Sequence, residues 1–129
     1  MKLNFDCIRD LLLYLEKSLT LDDDLMFKQI NLATICNSDE MKNYSREDIY
    51  YSIHNLNERK YIKAVINKGD SVFICHITDI TPTGHDFLQS IRPLTVWEQI
   101  KHKCQKTGTI SFGIIINTAS SILAKMIIG

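Results

Sequence analysis

Residues 44–88, YSREDIYYSIHNLNERKYIKAVINKGDSVFICHITDITPTGHDFL, read as helix, β-hairpin, helix. Ser45 has the chemistry of an N-cap, and Ile49, Ile53, Leu56 and Lys60 recur at helical spacing, so residues 45–60 are predicted to form a helix. From Tyr61 the pattern switches to two short runs rich in β-branched and aromatic residues, YIKAVI and SVFICHI. Asn67, Lys68, Gly69 and Asp70 between them suit a tight turn, which predicts a hairpin. Thr81 then precedes Pro82, an N-cap followed by proline at the first helical position, where a missing N–H does no harm. Phe87, Leu88 and Ile91 line the helix that starts there. Helix, hairpin, helix in this order is the pattern of a winged helix, so the expected fold class is α+β. Residues 1–92 are expected to form a winged helix-turn-helix domain and residues 93–129 a two-helix extension.

Working toward the N-terminus, Asn4 is placed to cap a helix over residues 4–18, in which Phe5, Ile8, Leu11, Leu12 and Leu15 form one stripe. Asn4, Asp6, Arg9 and Asp10 interrupt the apolar residues, so this segment does not read as a signal peptide, and the expected compartment is cytoplasmic. Between Asp24 and Tyr44 the signals weaken. Met26, Phe27, Ile30, Leu32 and Ile35 suggest a short strand or irregular core segment, and Ser38, Asp39 and Glu40 a single helical turn. Asp22, Asp23 and Asp24 lack the alternating ligands and glycine of a calcium loop and read as a solvated turn, so no metal is expected.

Toward the C-terminus, Thr95 is expected to cap a helix carrying Val96, Trp97 and Ile100. Lys101, His102, Lys103 and Lys106 make its end basic, which complements the helix dipole, and Gly108 permits a break. The last segment, SFGIIINTASSILAKMIIG, is near the lower length limit for crossing a bilayer, but its helical projection is two-faced. Phe112, Ile115, Ile116, Ala119, Ile122, Leu123, Met126 and Ile127 share one side. Ser111, Asn117, Thr118, Ser121 and Lys125 share the other, with Ile114 and Ile128 out of place. No membrane span is expected. The stripe either packs on the chain's own first helix or forms a homodimer seam within residues 110–128, with Phe112, Ile115, Ile116, Ala119, Ile122, Leu123 and Met126 as the seam.

The bulk chemistry excludes little and points to no charged ligand. A chain of 129 residues with 45% hydrophobic and 23% charged residues has the composition of a globular domain. Lys+Arg and Asp+Glu are both 15, so there is no basic excess to draw it to nucleic acid or an anionic membrane. Cys7, Cys36, Cys75 and Cys104 are widely spaced without a CxxC pair, which fits reduced structural thiols. His54, His76, His85 and His102 are scattered, no motif sets a nucleophile beside one, and the glycines form no phosphate loop. His85, in the first turn of a predicted helix, is expected to pack against or hydrogen-bond to the hairpin. No enzyme activity and no cofactor are expected.

Three segments, MKLNFDCIRDLLLYLE, YSREDIYYSIHNLNERKYI and ITPTGHDFLQSIRPLTVWEQIK, resemble domain-of-unknown-function family number 2513, an uncharacterised family of bacteriophages, prophages and their Gram-positive hosts. The run Thr81, Gly84, His85, Phe87, Leu88, followed by Arg92 and Trp97, is its most specific part. The resemblance implies a winged-helix fold and a phage or mobile-element setting, hence a host cytoplasm, and carries no catalytic residues.

If Ile49, Ile53 and Leu56 point inward, the helix over 45–60 turns Glu47, Asp48, Tyr51, His54, Asn55 and Glu58 outward. A DNA-reading helix needs cations and amides there, and these carboxylates repel a polyanion. The favoured expectation is therefore a regulatory or counter-defence module that docks onto a host or phage protein through Glu47, Tyr51, His54, Asn55 and Glu58. The alternative is a DNA-binding regulator that uses Arg46, Asn55, Arg59, Lys63 and Lys68.

Overall fold

A computed structural model describes residues 1–69 and 71–128, with Ile128 described by its backbone alone. Asp70 of the expected turn, Gly129 and the side chain of Ile128 lie outside the described residues. Among those described, the chain is α+β, with six helices and one three-stranded antiparallel sheet. It forms two compact units, Met1–His85 and Asp86–Gly129. The division falls inside a helix.

In the first unit, α1 (Phe5–Ser18) starts as its cap dictates: the Asn4 side chain accepts from the Cys7 N–H at 3.1 Å. The predicted stripe is buried, and α1 packs on α3 and β3. The weakly patterned middle contains β1 (Ile30–Asn31) and a six-residue helix, α2 (Leu32–Asn37), capped by Asn31. Leu32 and Ile35 enter the core as expected. Met26 and Phe27 do not. They stand on the surface, 64% and 59% exposed, beside Leu25 at 75%. The Asp22 carboxylate accepts from the N–H groups of Asp24 and Met26, both at 2.9 Å, and closes a tight turn too short to fold these side chains inward. Ser38 to Tyr44 forms the expected helical turn, with Met41 buried beneath it.

The Ser45 hydroxyl caps α3 (Arg46–Glu58), accepting from the Asp48 N–H at 3.0 Å. Ile49, Ile53 and Leu56 are buried, but Lys60 is not part of the helix. With φ at 62° it takes the left-handed position just after the helix end. Its N–H donates to the Asn57 carbonyl at 3.0 Å and the Tyr61 N–H donates to the Leu56 carbonyl at 2.9 Å, a Schellman closure that stops α3 and aims the chain into the sheet.

The hairpin is formed by β2 (Ile62–Lys68) and β3 (Phe73–Ile80), which pair in antiparallel register from Ile62↔Ile80 to Lys68↔Phe73. Asn67 and Lys68 belong to the strand rather than the turn. The sheet order is β1-β3-β2, with β1 pairing Ile30 to Ile77 and Asn31 to His76. One face, carrying Ile62, Cys75, Ile77 and Ile80, is buried.

Thr81 caps α4 (Pro82–Ile91) as predicted: its hydroxyl accepts from the Gly84 N–H at 3.0 Å and also donates to the Lys60 carbonyl at 2.6 Å. The Thr81 N–H reaches the Tyr61 carbonyl at 3.0 Å. The start of α4 is thus fastened to the end of α3, and Gly84 is there because nothing larger fits. A Cβ on it would lie 1.9 Å from the Tyr61 carbonyl oxygen. His85 is exposed.

In the second unit, α5 (Leu94–Thr107) packs on α6 (Phe112–Ile128). Pro93, not Thr95, holds the cap position of α5, and no side chain caps it. Pro93 has already set the chain direction, which leaves Thr95 inside the first turn. Val96, Trp97, Ile100 and Cys104 are buried on α5, and Gly108, with φ at 72°, ends it as expected. The Phe87 and Phe112 rings meet at 5.5 Å.

Candidate functional site

Tyr50 organises the most distinctive surface of the first unit. It sits one residue past Ile49, at the edge of the buried stripe of α3, and is half-buried. The Phe73 ring meets it edge-on with centroids 5.6 Å apart, and the Lys68 Nζ lies over it at 5.1 Å. Lys68 and Phe73 are cross-strand partners at the loop end of the hairpin, so both strands grip one aromatic side chain of α3. The loop end of the hairpin is thereby tied to the helix.

On the same side a trough runs between α2, α3 and the hairpin. One stretch, about 220 Å³, is lined by Leu32, Arg46, Glu47, Tyr50, Lys68 and Phe73. A neighbouring stretch of about 320 Å³ shares Leu32, Arg46 and Phe73 and continues along Asn31, Ala33, Ile74 and His76. Arg46 is exposed and has no ion-pair partner among the described residues. Its guanidinium field reaches the thiols of Cys36 and Cys75. Burial pushes both thiols up, and Arg46 works against that rise. The base of the trough is apolar, and its rim carries two cations, Arg46 and Lys68, against one carboxylate, Glu47.

The expected protein-contact face is only partly assembled. The Tyr51 and His54 rings stack at 6.2 Å with 7° between their planes, and Glu47 and Glu58 are exposed. The Asn55 amide, expected to reach a partner or a base, instead donates to the Tyr51 carbonyl at 2.8 Å. That bond back to its own helix uses one of the two amide hydrogens and leaves the other and the Oδ1 for a further contact.

The candidate nucleic-acid contacts are also dispersed. Arg59 lies over the Tyr61 ring at 5.2 Å, and its Nη2 donates to the Tyr61 hydroxyl at 3.4 Å. Lys68 is held over Tyr50. Arg46 and Lys68 share the trough, whereas Lys63 belongs with Lys60 to a different cleft at the base of β2. No continuous row of cations results from the five.

Of the candidate seam on α6, Phe112, Ile115, Ala119 and Ile122 are already buried by the chain itself. Ile116 and Leu123 are half-buried, and Met126 is 61% exposed. Only these three are available to a second copy. The basic end of α5 is partly used internally, with Lys101 paired to Glu98 at 3.7 Å.

Burial holds all four thiols above their ordinary range. All four cysteines are free, and burial pushes the Cys7 thiol up to about 11, with Ser52 opposing the rise. Among the described residues no group of three or more His, Cys, Asp and Glu side chains is placed to hold a metal ion. No described helix is long and apolar enough to cross a membrane.

Tyr50 and Phe73 carry no motif that marks them as surface residues of a site. The available signal was parity: Phe73 alternates with Cys75 and Ile77 toward the helices, and Tyr50 borders the buried stripe.

The family model described as Hypothetical protein (DUF2513) matches residues 2–110, and the chain belongs to that family. The match includes every residue of the trough and stops short of α6. No curated protein and no solved structure matches the chain.

Proposed function

We propose that the first unit is a winged-helix interaction module that docks onto a host or phage protein, in a regulatory or counter-defence role within a bacterial cytoplasm. The element order α1, β1, α2, α3, β2, β3 is the order of a winged helix, with α3 in the place of the recognition helix and β2–β3 as the wing. The observation that carries the protein-binding reading is the apolar character of the wing. Val72, Phe73 and Ile74 are exposed at its loop end, beside an α3 whose first turn is acidic. Exposed aromatic and β-branched residues suit a desolvated protein interface, and carboxylates at the N-terminal end of a recognition helix repel phosphates.

The test is affinity capture from a Gram-positive host lysate, with and without nuclease, using the chain and a Val72→Ser, Ile74→Ser variant. The reading expects a protein retained after nuclease and lost with the variant. Capture that vanishes with nuclease sinks it.

One observation favours a DNA-binding second reading: Arg46 and Lys68 lie on the rim of one trough. That reading requires salt-dependent binding of random duplex DNA that weakens when Lys63 and Lys68 are both changed to Ala.

A further inference from the structure

Along one side, β3 is paired with β2 from Phe73 to Ile80, with one irregularity at Thr78 where the register shifts between Lys63 and Ala64. Along the other, β1 pairs only His76 and Ile77, and the chain then turns into α2 at Leu32. Among the described residues no strand pairs with Phe73, Ile74 or Cys75 on that side. Open edges of this kind are usually blunted by charge, proline or a covering loop, because free N–H and C=O groups template further pairing. Here the edge carries Phe73 and Ile74, 42% and 38% exposed, and borders the trough.

We infer that this edge takes an extended acidic peptide from the partner protein, added as a strand in line with β1 and setting a carboxylate on Arg46. The inference rests on the protein-docking reading and names the form of the partner segment. The geometry continues one already present. The chain's own strand occupies the edge for two residues and then leaves it, and the cleft beside Phe73, Ile74 and Cys75 is where an incoming strand would extend the pairing. Backbone pairing supplies affinity in this mode, and alternate side chains supply selectivity. Those on one side of the incoming strand meet the apolar base formed by Leu32, Tyr50 and Phe73. Charge decides the rest. Arg46 and Lys68 stand against the single carboxylate of Glu47 in the lining, and a guanidinium free of any described ion pair accepts a carboxylate in a two-pronged contact.

The probe is a random dodecapeptide display library panned against the full chain. Recovered peptides are expected to combine an acidic residue with apolar residues at alternate positions. Binding of the best peptide is expected to weaken about tenfold or more with Arg46→Glu, as loss of a charged pair implies. Glutamate at this exposed first helical position suits the helix N-terminus, so the variant should fold, and Arg46→Gln provides a milder check. N-methylation at alternate positions of the peptide should abolish binding, while methylation at intervening positions should spare it. Peptides with apolar residues at helical spacing, indifference to N-methylation, or binding unchanged by Arg46→Glu would overturn strand addition. A library without enrichment, set against a nuclease-resistant captured protein, also overturns strand addition while leaving the docking reading intact. Loss of capture with nuclease strikes the docking reading itself.

Discussion

Replacing Gly84 by alanine puts a methyl group where the backbone of another element already lies. The new Cβ would sit 1.9 Å from the Tyr61 carbonyl oxygen, 2.8 Å from its carbon and 2.9 Å from the Ile80 Cγ2. A flexible side chain could move aside, but the Tyr61 carbonyl is held by the Thr81 N–H at 3.0 Å and its residue opens the hairpin. The first turn of α4 must therefore lift away from the end of α3. Overpacking of this kind costs about 2–3 kcal/mol. Separation also strains the Thr81 N–H bond and the hydroxyl bond to Lys60, together about 2 kcal/mol. Alanine in place of glycine returns about 1 kcal/mol of helix propensity. The expected net loss is about 3–4 kcal/mol. Urea unfolding followed by circular dichroism is the right assay, since the one tryptophan, Trp97, lies in the second unit and reports there. Gly113→Ala is the control: its nearest atom is the Ser111 Oγ at 4.0 Å, so the same chemical change in α6 should cost nothing or stabilise slightly. A Gly84→Ala protein within about 0.5 kcal/mol of the parent, a span typical of neutral surface changes, would refute the close-approach argument.

Other perturbations have equally definite outcomes. Lys60→Gly relieves the left-handed position that follows α3 and should raise stability of the first unit by about 0.5–1 kcal/mol; a loss in urea midpoint would contradict the Schellman assignment. Tyr50→Ala removes an edge-on aromatic pair and a cation–π contact, a loss of about 1–2 kcal/mol, and hydrogen exchange should quicken at the Lys68–Phe73 end of the hairpin before the Ile62–Ile80 end. Uniform protection across β2 and β3 would show that the hairpin is not held through Tyr50. Tyr44 is raised above the usual phenol range by burial and by donating to the Asp10 carboxylate at 2.6 Å. Its folded pKa exceeds its unfolded one, so its contribution is complete below pH about 10 and is lost as the pH rises through the folded value. Stability should fall in that alkaline window, and Tyr44→Phe should flatten the fall; equal pH slopes in the two proteins would rule the contribution out.

Much of the architecture was legible in local chemistry. Asn4, Ser45 and Thr81 each sit where a short polar side chain bonds an N–H three residues on, and each starts a helix there. The change from helical spacing to β-branched runs at Tyr61 marks the hairpin for the same reason. Such signals act within a few residues, so sequence alone carries them. The middle was less readable because α2 has only six residues, too short to repeat a stripe, and because the apolar Met26 and Phe27 are kept outside by a turn built on Asp22.

The surface was decided at longer range. Asn55 looks available in any helical projection, and only the folded rotamer shows it bonded to the Tyr51 carbonyl. Tyr50 reads as an ordinary helix-edge residue until the register brings Phe73 and Lys68 over it. Arg46 and Lys68 lie far apart in the chain and line one trough because β2 and α3 meet there. Gly84 stands in the sequence as one glycine among five, and its necessity comes from a carbonyl on a different element. Caps and periodicities are properties of neighbours in the chain, so the elements could be read from residue order. Which side chains share a surface depends on strand register and helix packing, and those belong to the folded molecule alone.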